Sequence, residues 1–300
     1  RYSIPRWIYD MWMEEYPQET VRGMLQAFLE KRRLCVRCRG SKSDPGQIRD
    51  SLSRQGVVVE DSGYGDDIVF LDRVDYLEKL EAFQKGWIQI QDLSSAMAVR
   101  AAGPRKGWRC IDVCGAPGGK SLYLADLLEG TGMVEVRDIS QRKADLIQEN
   151  VRRLGYANVK VRVMDALCED EQSVETADLV LADLPCSGLG VLGRKPDIKL
   201  RATRESMEAL AGLQRDILSV VWRYVKPGGI LVYSTCTISR RENEENRAWF
   251  LKQFPFEPVH IQGRLGERIR EETLKQGYVQ LLPGVHPCDG FFLAVFRRRE

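Results

Sequence analysis

Long apolar runs are missing from this 300-residue chain. The longest, such as Ile230–Tyr233 and Phe291–Phe296, fall far short of the roughly 20 residues that a membrane-spanning helix needs, so no membrane partner is expected. No signal-peptide pattern opens the chain, because Trp7, Asp10 and Glu14 break any apolar stretch. The first residue is Arg1 and not Met, so the chain is expected to be a fragment with a domain upstream. Histidine is scarce, with only His260 and His286. The lone C-x-x-C of Cys35 and Cys38 therefore has neither a second pair nor enough histidines to complete a structural zinc site. Leu34–Arg39 also reads as a strand, on which residues three apart point to opposite faces. These two cysteines are expected as core or surface thiols, and no metal is expected. An excess of one charge is lacking too. Lys and Arg number 45 against 43 Asp and Glu, a net +2, so the molecule as a whole is not a polycation. Eight cysteines without a secretion signal point to reduced thiols and a cytoplasmic location.

What the chain does have is length for about two domains, with the 43% hydrophobic and 29% charged content of an ordinary globular protein. Its charge is unevenly spread. Lys31, Arg32, Arg33, Arg37, Arg39, Lys42, Arg49 and Arg54 face only Asp44 and Asp50 in one stretch. Such a run alone is ordinarily a solvated face, and becomes a nucleic-acid patch only if the rest of the chain points there. Residues 1–85 mix short pieces, with strands expected at Leu34–Arg39 and Gly56–Glu60 and a short helix at Asp75–Phe83. We read them as a smaller N-terminal α+β domain.

Over residues 86–300 strands alternate with helical segments, the signature of a mostly parallel sheet covered by helices. Strands are expected at Arg109–Cys114, Met133–Val136, Val159–Val163, Asp178–Ala182 and Ile230–Ser234, and a closing antiparallel pair at Val279–Leu282 and Phe291–Phe296. Ser140 is the expected N-cap of a helix running to Leu154. A longer helix from Ser206 to Val225 is expected to stop at Lys226-Pro227-Gly228-Gly229. This is an α/β, doubly wound sheet, and such sheets bind ligands beyond the carboxyl ends of their strands.

At the first of those ends stands Asp112-Val113-Cys114-Gly115-Ala116-Pro117-Gly118-Gly119-Lys120-Ser121. Glycines permit a tight turn and close approach of a ligand to backbone, with a helix N-terminus facing it. A nucleotide-triphosphate loop would read G-x-x-x-x-G-K-[ST], but Cys114 holds the place of its first Gly. Pro117 removes a further N–H from any phosphate cradle. Asp138 lies 23 residues after Gly115, near the spacing of about 20 expected for a carboxylate on ribose hydroxyls. Asp165 ends the next strand, where a side chain reaches an adenine edge. Together these residues favour a nucleoside ligand without a triphosphate.

Two more strand ends carry thiols: Asp183-Leu184-Pro185-Cys186-Ser187-Gly188 and Ser234-Thr235-Cys236-Thr237. One such cysteine would ordinarily be a buried core thiol. Two, beside an Asp-x-Pro and flanked by hydroxyl residues, point to chemistry.

Here the sequence resembles the Sun family of RNA cytosine-C5 methyltransferases. Cys114–Lys120 is similar to the family's first cofactor motif, Asp183–Gly188 to its Asp-x-Pro-Cys-Ser-Gly motif and Tyr233–Thr237 to its Ser-Thr-Cys motif. Gln89–Ser95, Arg194–Lys199, Cys288–Phe292 and the opening Tyr2–Trp7 match as well, so the likeness covers nearly the whole chain. Gly115, Leu184 and Arg137 depart from the usual residues without removing a chemical group. The resemblance implies a Rossmann-like, seven-stranded methyltransferase sheet with S-adenosyl-L-methionine as cofactor. It implies methylation of carbon 5 of a cytosine in RNA, with the bacterial 16S ribosomal RNA enzymes as the nearest members. A tRNA substrate, or a non-catalytic ribosome-assembly role on the same fold, is the alternative.

Carbon 5 of cytosine is a poor nucleophile, and a thiolate added to carbon 6 turns the ring into an enamine that can take a methyl group. By resemblance Cys236 is the nucleophile, and Cys186 assists loss of the carbon-5 proton and release. Asp183 accepts from the exocyclic amine and, when protonated, donates to N3. Lys120 positions the base or the cofactor carboxylate. The cofactor residues are then Cys114, Gly115, Ala116, Pro117, Gly118, Gly119, Lys120, Asp138, Asp165 and Asp183. With RNA as the implied partner, Lys31, Arg32, Arg33, Arg37 and Arg39 are expected to contact phosphates, and the segment upstream is expected to be a helical RNA-binding domain.

Overall fold

A computed structural model describes residues 2–31, 33–266 and 268–300. β1 (Leu34–Cys38), β2 (Val58–Asp61), β3 (Ile68–Asp72) and β4 (Ile88–Ile90) form an antiparallel sheet in the order β2-β3-β1-β4. The helix Pro45–Arg54 joins β1 to β2, and a short helical turn, Glu81–Gln84, precedes β4. This is a split βαβ arrangement. The expected helix over Asp75–Phe83 is broken into Leu77–Lys79 and Glu81–Gln84. β4 belongs to this sheet although it lies past residue 85.

Period-two alternation gives the sheet two apolar faces. Val36, Cys38, Val69 and Leu71 pack with Ile48 and Leu52 of the Pro45–Arg54 helix. Cys35, Ile68 and Phe70 pack instead with Leu93 and Met97 in the core that continues into the rest of the chain. The two cysteines of the C-x-x-C are thus buried thiols on opposite faces.

The same alternation overturns part of the expected RNA patch. Arg37 and Arg39 share Cys35's side of the strand line, so they point inward, and each is only 1% exposed. Arg37 pairs with Asp126 of the helix Gly119–Leu127 and lies 4.5 Å over Tyr123. Arg39 pairs with the same carboxylate at 3.2 Å and lies 4.2 Å over Tyr156. These arginines join the first sheet to the second and are not available to phosphates. Lys31 is exposed. Arg33 is partly exposed but paired with Glu60 and Asp72, and Arg32 lies outside the described residues.

The second sheet contains β5 (Arg109–Asp112), β6 (Met133–Asp138), β7 (Val159–Val163), β8 (Ala177–Asp183), β9 (Val225–Thr235), β10 (Phe256–Pro258), β11 (Tyr278–Leu281) and β12 (Phe291–Arg298). Their order is β10-β12-β9-β8-β5-β6-β7, with β11 also paired to β12. β5 to β9 run parallel, and β10, β11 and β12 add antiparallel pairings. Leu179–Ala182 and Ile230–Tyr233 are buried on both sides, as continuous apolar strands of a covered parallel sheet must be. Strand order reverses between β5 and β8, which places a crevice at their carboxyl ends.

Capping sets the helix limits. Thr203 and Ser206 form a capping box, so the expected Ser206 helix begins at Arg204; it ends at Val221. Lys226–Gly229 follows a further short turn, Trp222–Tyr224, and belongs to the start of β9. Ser140 caps Gln141–Leu154 as expected. The opening helices Arg6–Glu15 and Gln18–Ala27 bury their apolar faces in a cluster separate from that of the first sheet. Their Ile8, Trp12, Met24 and Leu25 pack with Leu189, Leu192, Met207 and Ile238, and Trp12 Nε1 donates to the Ile238 carbonyl at 3.0 Å. Among the described residues no helix is long and apolar enough to cross a membrane.

Candidate active site

β8 and β9 lie side by side and in register, so Asp183 is opposite Ser234 at their carboxyl ends. Ser234 Oγ donates to Asp183 Oδ1 at 2.7 Å, and Lys120 Nζ donates to Asp183 Oδ2 at 2.7 Å. Lys120 comes from the first turn of the helix after β5, so three strand ends meet here. Burial opposes the Lys120 ammonium, but the charges of Asp183, Asp112 and Cys236 outweigh it and hold its pKa above the usual lysine value. Lys120 is therefore a fixed positive charge at the site.

Beyond Asp183 and Ser234 the chain carries the two thiols, with Cys186 Sγ 3.4 Å from Cys236 Sγ. Cys236 accepts a hydrogen bond from Cys186, which lowers its pKa against burial and the charge of Asp183; Lys120 and Lys195 add to the lowering. Cys186 is pushed the other way, first as donor to Cys236 and then by burial. These opposite shifts favour the shared proton on Cys186 and thiolate character on Cys236.

The turn after β5 is tight for a visible reason. A Cβ on Gly115 would stand 2.3 Å from Val136 Cγ1, and Gly118 has φ +103°. A cavity of about 400 Å³ opens beside the turn. It is lined by Cys114–Pro117, Gly119, Lys120, Asp183 and Cys236, and by parts of three other expected motifs: Gln91, Asp92, Ser94 and Ser95, Arg194 with Lys195, and Asp289 with Phe291. Asp112 also lines it. This side chain is 1% exposed; its Oδ2 accepts from Ser121 Oγ at 2.5 Å, and its Oδ1 has no partner. Burial is the main cause that pushes the Asp112 carboxyl up to about 7. A buried acceptor without a donor fits a ligand that brings a cationic N–H group, such as the ammonium of S-adenosylmethionine.

Not every expected cofactor residue reaches this cavity. Asp138 and Asp165 are absent from its lining, as is Gly118. Asp138 stands behind the turn, where its Oδ2 accepts from Ala116 N at 3.4 Å and its Oδ1 from Ser140 N at 3.2 Å. Asp165 accepts from Leu167 N at 2.9 Å. Sequence reading missed Asp112 and Ser121, although both sit inside the quoted turn.

Comparison with known proteins bears directly on this site. Residues 99–297 match the family model described as 16S rRNA methyltransferase RsmB/F. The chain belongs to that family. Residues 4–76 match a second model, described as "Methyltr_RsmF/B-like, ferredoxin-like domain". The chain is 35% identical over 300 residues to the probable ribosomal RNA small subunit methyltransferase B of Bacillus subtilis, covering 99% of this chain and 67% of the relative. It is 29% identical to the ribosomal RNA small subunit methyltransferase B of Vibrio cholerae, covering 100% and 66%. The chain thus spans about two thirds of the length of these relatives. A crystal structure of a methyltransferase homolog from Pyrococcus horikoshii superimposes with TM-score 0.86 at 28% identity, covering 99% of this chain and 96% of the other.

The RsmB/F match spans the glycine turn, Asp183 and both thiols. The ferredoxin-like match covers β1, β2 and β3 and the two opening helices. In this RsmB/F methyltransferase chain the split βαβ sheet is therefore locked to the catalytic sheet through Arg37, Arg39 and Asp126.

Proposed function

We propose that this RsmB/F-family chain transfers a methyl group from S-adenosylmethionine to carbon 5 of a cytosine in 16S ribosomal RNA, through a covalent bond between Cys236 and carbon 6. The observation that carries the reading is the thiol pair, 3.4 Å apart beside the Lys120–Asp183 ion pair. The Cys114–Lys120 turn and Asp112 would hold the cofactor, with Asp138 and Asp165 contributing from outside the cavity lining. The cofactor supplies an electrophilic methyl group.

The protein's side chains do the rest. Cys236 thiolate forms the bond to carbon 6, and the carbon 5–carbon 6 π pair becomes available at carbon 5 for the methyl group. Lys120 stabilises the negative charge that builds on the ring. Asp183 accepts from the exocyclic amine, because each of its oxygens keeps a second lone pair beyond the bonds to Lys120 and Ser234. The proton resting on Cys186 moves to the ring as the adduct forms, leaving Cys186 as a thiolate base. Cys186 then takes the carbon-5 proton, whose bonding pair restores the ring double bond, and the carbon–sulfur pair returns to Cys236. The extra ring proton leaves to solvent.

Such a pocket takes a base that is single-stranded or flipped out. Lys31 and Arg33, at the exposed edge of the 1–85 region, contribute to RNA binding, and residues 86–300 carry catalysis. Working thiols require a reducing compartment, which supports a cytoplasmic location. Mass spectrometry of deproteinised small-subunit RNA after incubation with protein and cofactor tests this reading. A new 5-methylcytosine at one position is expected. Methylation on a nitrogen, or none, contradicts it.

A further inference from the structure

Cys186 belongs to no helix or strand, so the 3.4 Å contact with Cys236 must be set by its neighbours. Both neighbours are tied to one buried cluster. Pro185 O accepts from Gln214 Nε2 at 2.9 Å. Ser187 N donates to Glu242 Oε2 at 2.9 Å, and Ser187 Oγ donates to Glu242 Oε1 at 2.5 Å. Gln214 Nε2 also donates to Glu242 Oε2 at 3.0 Å, which closes the bracket around Cys186. Gln214 Oε1 is itself held by Tyr233 OH at 3.0 Å and Asn246 Nδ2 at 2.8 Å.

Glu242, Gln214, Tyr233 and Asn246 are all fully buried. Among the described residues Glu242 has neutral donors and no basic partner. Burying a carboxylate without a counter-ion is costly, and a glutamine would make a similar set of contacts at less cost. The charge is therefore the feature to explain.

We propose that Glu242 is the positioning residue of the thiol pair: it fixes Cys186 through Ser187 and Gln214, and its charge keeps the shared proton on Cys186 and the thiolate on Cys236. This rests on the cysteine chemistry proposed above. The groups facing the pair agree in sign. Cys186 meets the acidic Glu242 and Asp183, whereas Cys236 meets Lys120 and Lys195 as well as Asp183. Burial raises the Glu242 pKa on balance, and the bonds from Ser187, Gln214 and Ser239 offset part of that rise.

The test compares wild type, Glu242→Gln, Ser187→Ala and Cys186→Ala with S-adenosylmethionine and deproteinised small-subunit ribosomal RNA. Denaturation-resistant protein–RNA adduct and released methylated RNA are counted in the same reactions. In RNA-free protein, iodoacetamide labelling of Cys236 relative to Cys186 is read by mass spectrometry. Glu242→Gln should accumulate adduct, with release slowed about 100-fold, the scale of a misplaced reacting group. Its cofactor affinity should hold while its labelling preference moves toward equality. Ser187→Ala keeps the charge, so it should accumulate some adduct and retain the preference for Cys236. Wild-type release or a wild-type labelling preference in Glu242→Gln overturns the proposal. If that variant does not fold, adduct accumulation by Ser187→Ala supports the proposal and wild-type release by it overturns the proposal. Absence of adduct even from Cys186→Ala would sink the cysteine chemistry itself, and this proposal with it.

Discussion

Gly190 and Gly290 meet backbone to backbone: Gly290 N donates to Gly190 O at 2.9 Å, and a Cβ on Gly190 would stand 2.0 Å from Gly290 O. Gly190 N in turn donates to the Cys236 carbonyl at 3.1 Å. The loop that bears Cys186 is thereby stapled between β9 and the residue before β12. Gly190→Ala should lose about 1–3 kcal/mol of stability, the usual cost of overpacking, because the atoms in its way are backbone. Methyl transfer should fall further than stability explains. Urea unfolding and turnover on the same preparation check this, and full activity with unchanged stability would show that the loop needs no close approach.

The thiol pair predicts a pH signature. Donation from Cys186 is the largest cause lowering the Cys236 pKa, with Lys120 and Lys195 assisting against burial and Asp183. Cys236 should therefore be alkylated with a midpoint below the free-thiol value of about 8.5. Cys186→Ala should move that midpoint upward. An unchanged midpoint would mean that Cys186 does not tune Cys236.

Asp126 is the carboxylate between the two sheets. Burial would raise its pKa, but Arg37 and Arg39 outweigh burial and hold it below the ordinary value. Its contribution to stability is thus complete above the unfolded pKa of about 3.9 and is lost as pH falls through the lower folded value. Asp126→Ala should cost about 3–5 kcal/mol near neutral pH, the scale for breaking a buried pair. Lys31→Ala should instead flatten the salt dependence of RNA binding by about one phosphate contact, with stability unchanged. Denaturation curves and salt titrations separate the two. A stable Asp126→Ala protein would contradict the staple.

Asp112 makes cofactor binding pH-dependent. Its carboxyl, pushed up to about 7, must be ionised to pair with an ammonium, so affinity for S-adenosylmethionine should rise through roughly pH 6 to 8. Asp112→Asn should flatten that rise and weaken binding by about 1.5–3 kcal/mol at the upper end. ATP should not bind either protein. Calorimetry showing a flat pH response in the wild type would remove Asp112 from the cofactor site.

Local patterns made the parallel sheet legible. The apolar runs of β8 and β9, the glycine turn and the thiol-bearing strand ends all reported their places in the sequence. The closing pair at β11 and β12 was legible for the same reason. Arg37 and Arg39 were misread because charge type says nothing about which face of a strand a residue takes; Cys35 on the same side was the available clue. Glu242 and Gln214 gave no local signal, since their function lies in contacts with Ser187 and Pro185 that only the packed fold creates. Asp112 was legible in position but not in role, because an unpartnered Oδ1 is a property of burial. Where the opening helices bury their apolar faces was not legible, since the Trp12 contact with the Ile238 carbonyl joins residues far apart in sequence.

The division of labour between the cysteines is tested most directly by denaturing electrophoresis of labelled ribosomal RNA with Cys186→Ala, Cys236→Ala and the double variant, each in the presence of S-adenosylmethionine. Attack precedes release, so Cys186→Ala should yield a covalent protein–RNA band while Cys236→Ala and the double variant yield none. Cys236→Ala should also lose methyl transfer while keeping its fold and cofactor affinity. A band from Cys236→Ala and none from Cys186→Ala would reverse the roles. No band from any variant, with methylation intact in both single variants, would show that these are core thiols and that the chemistry proposed for this site is wrong.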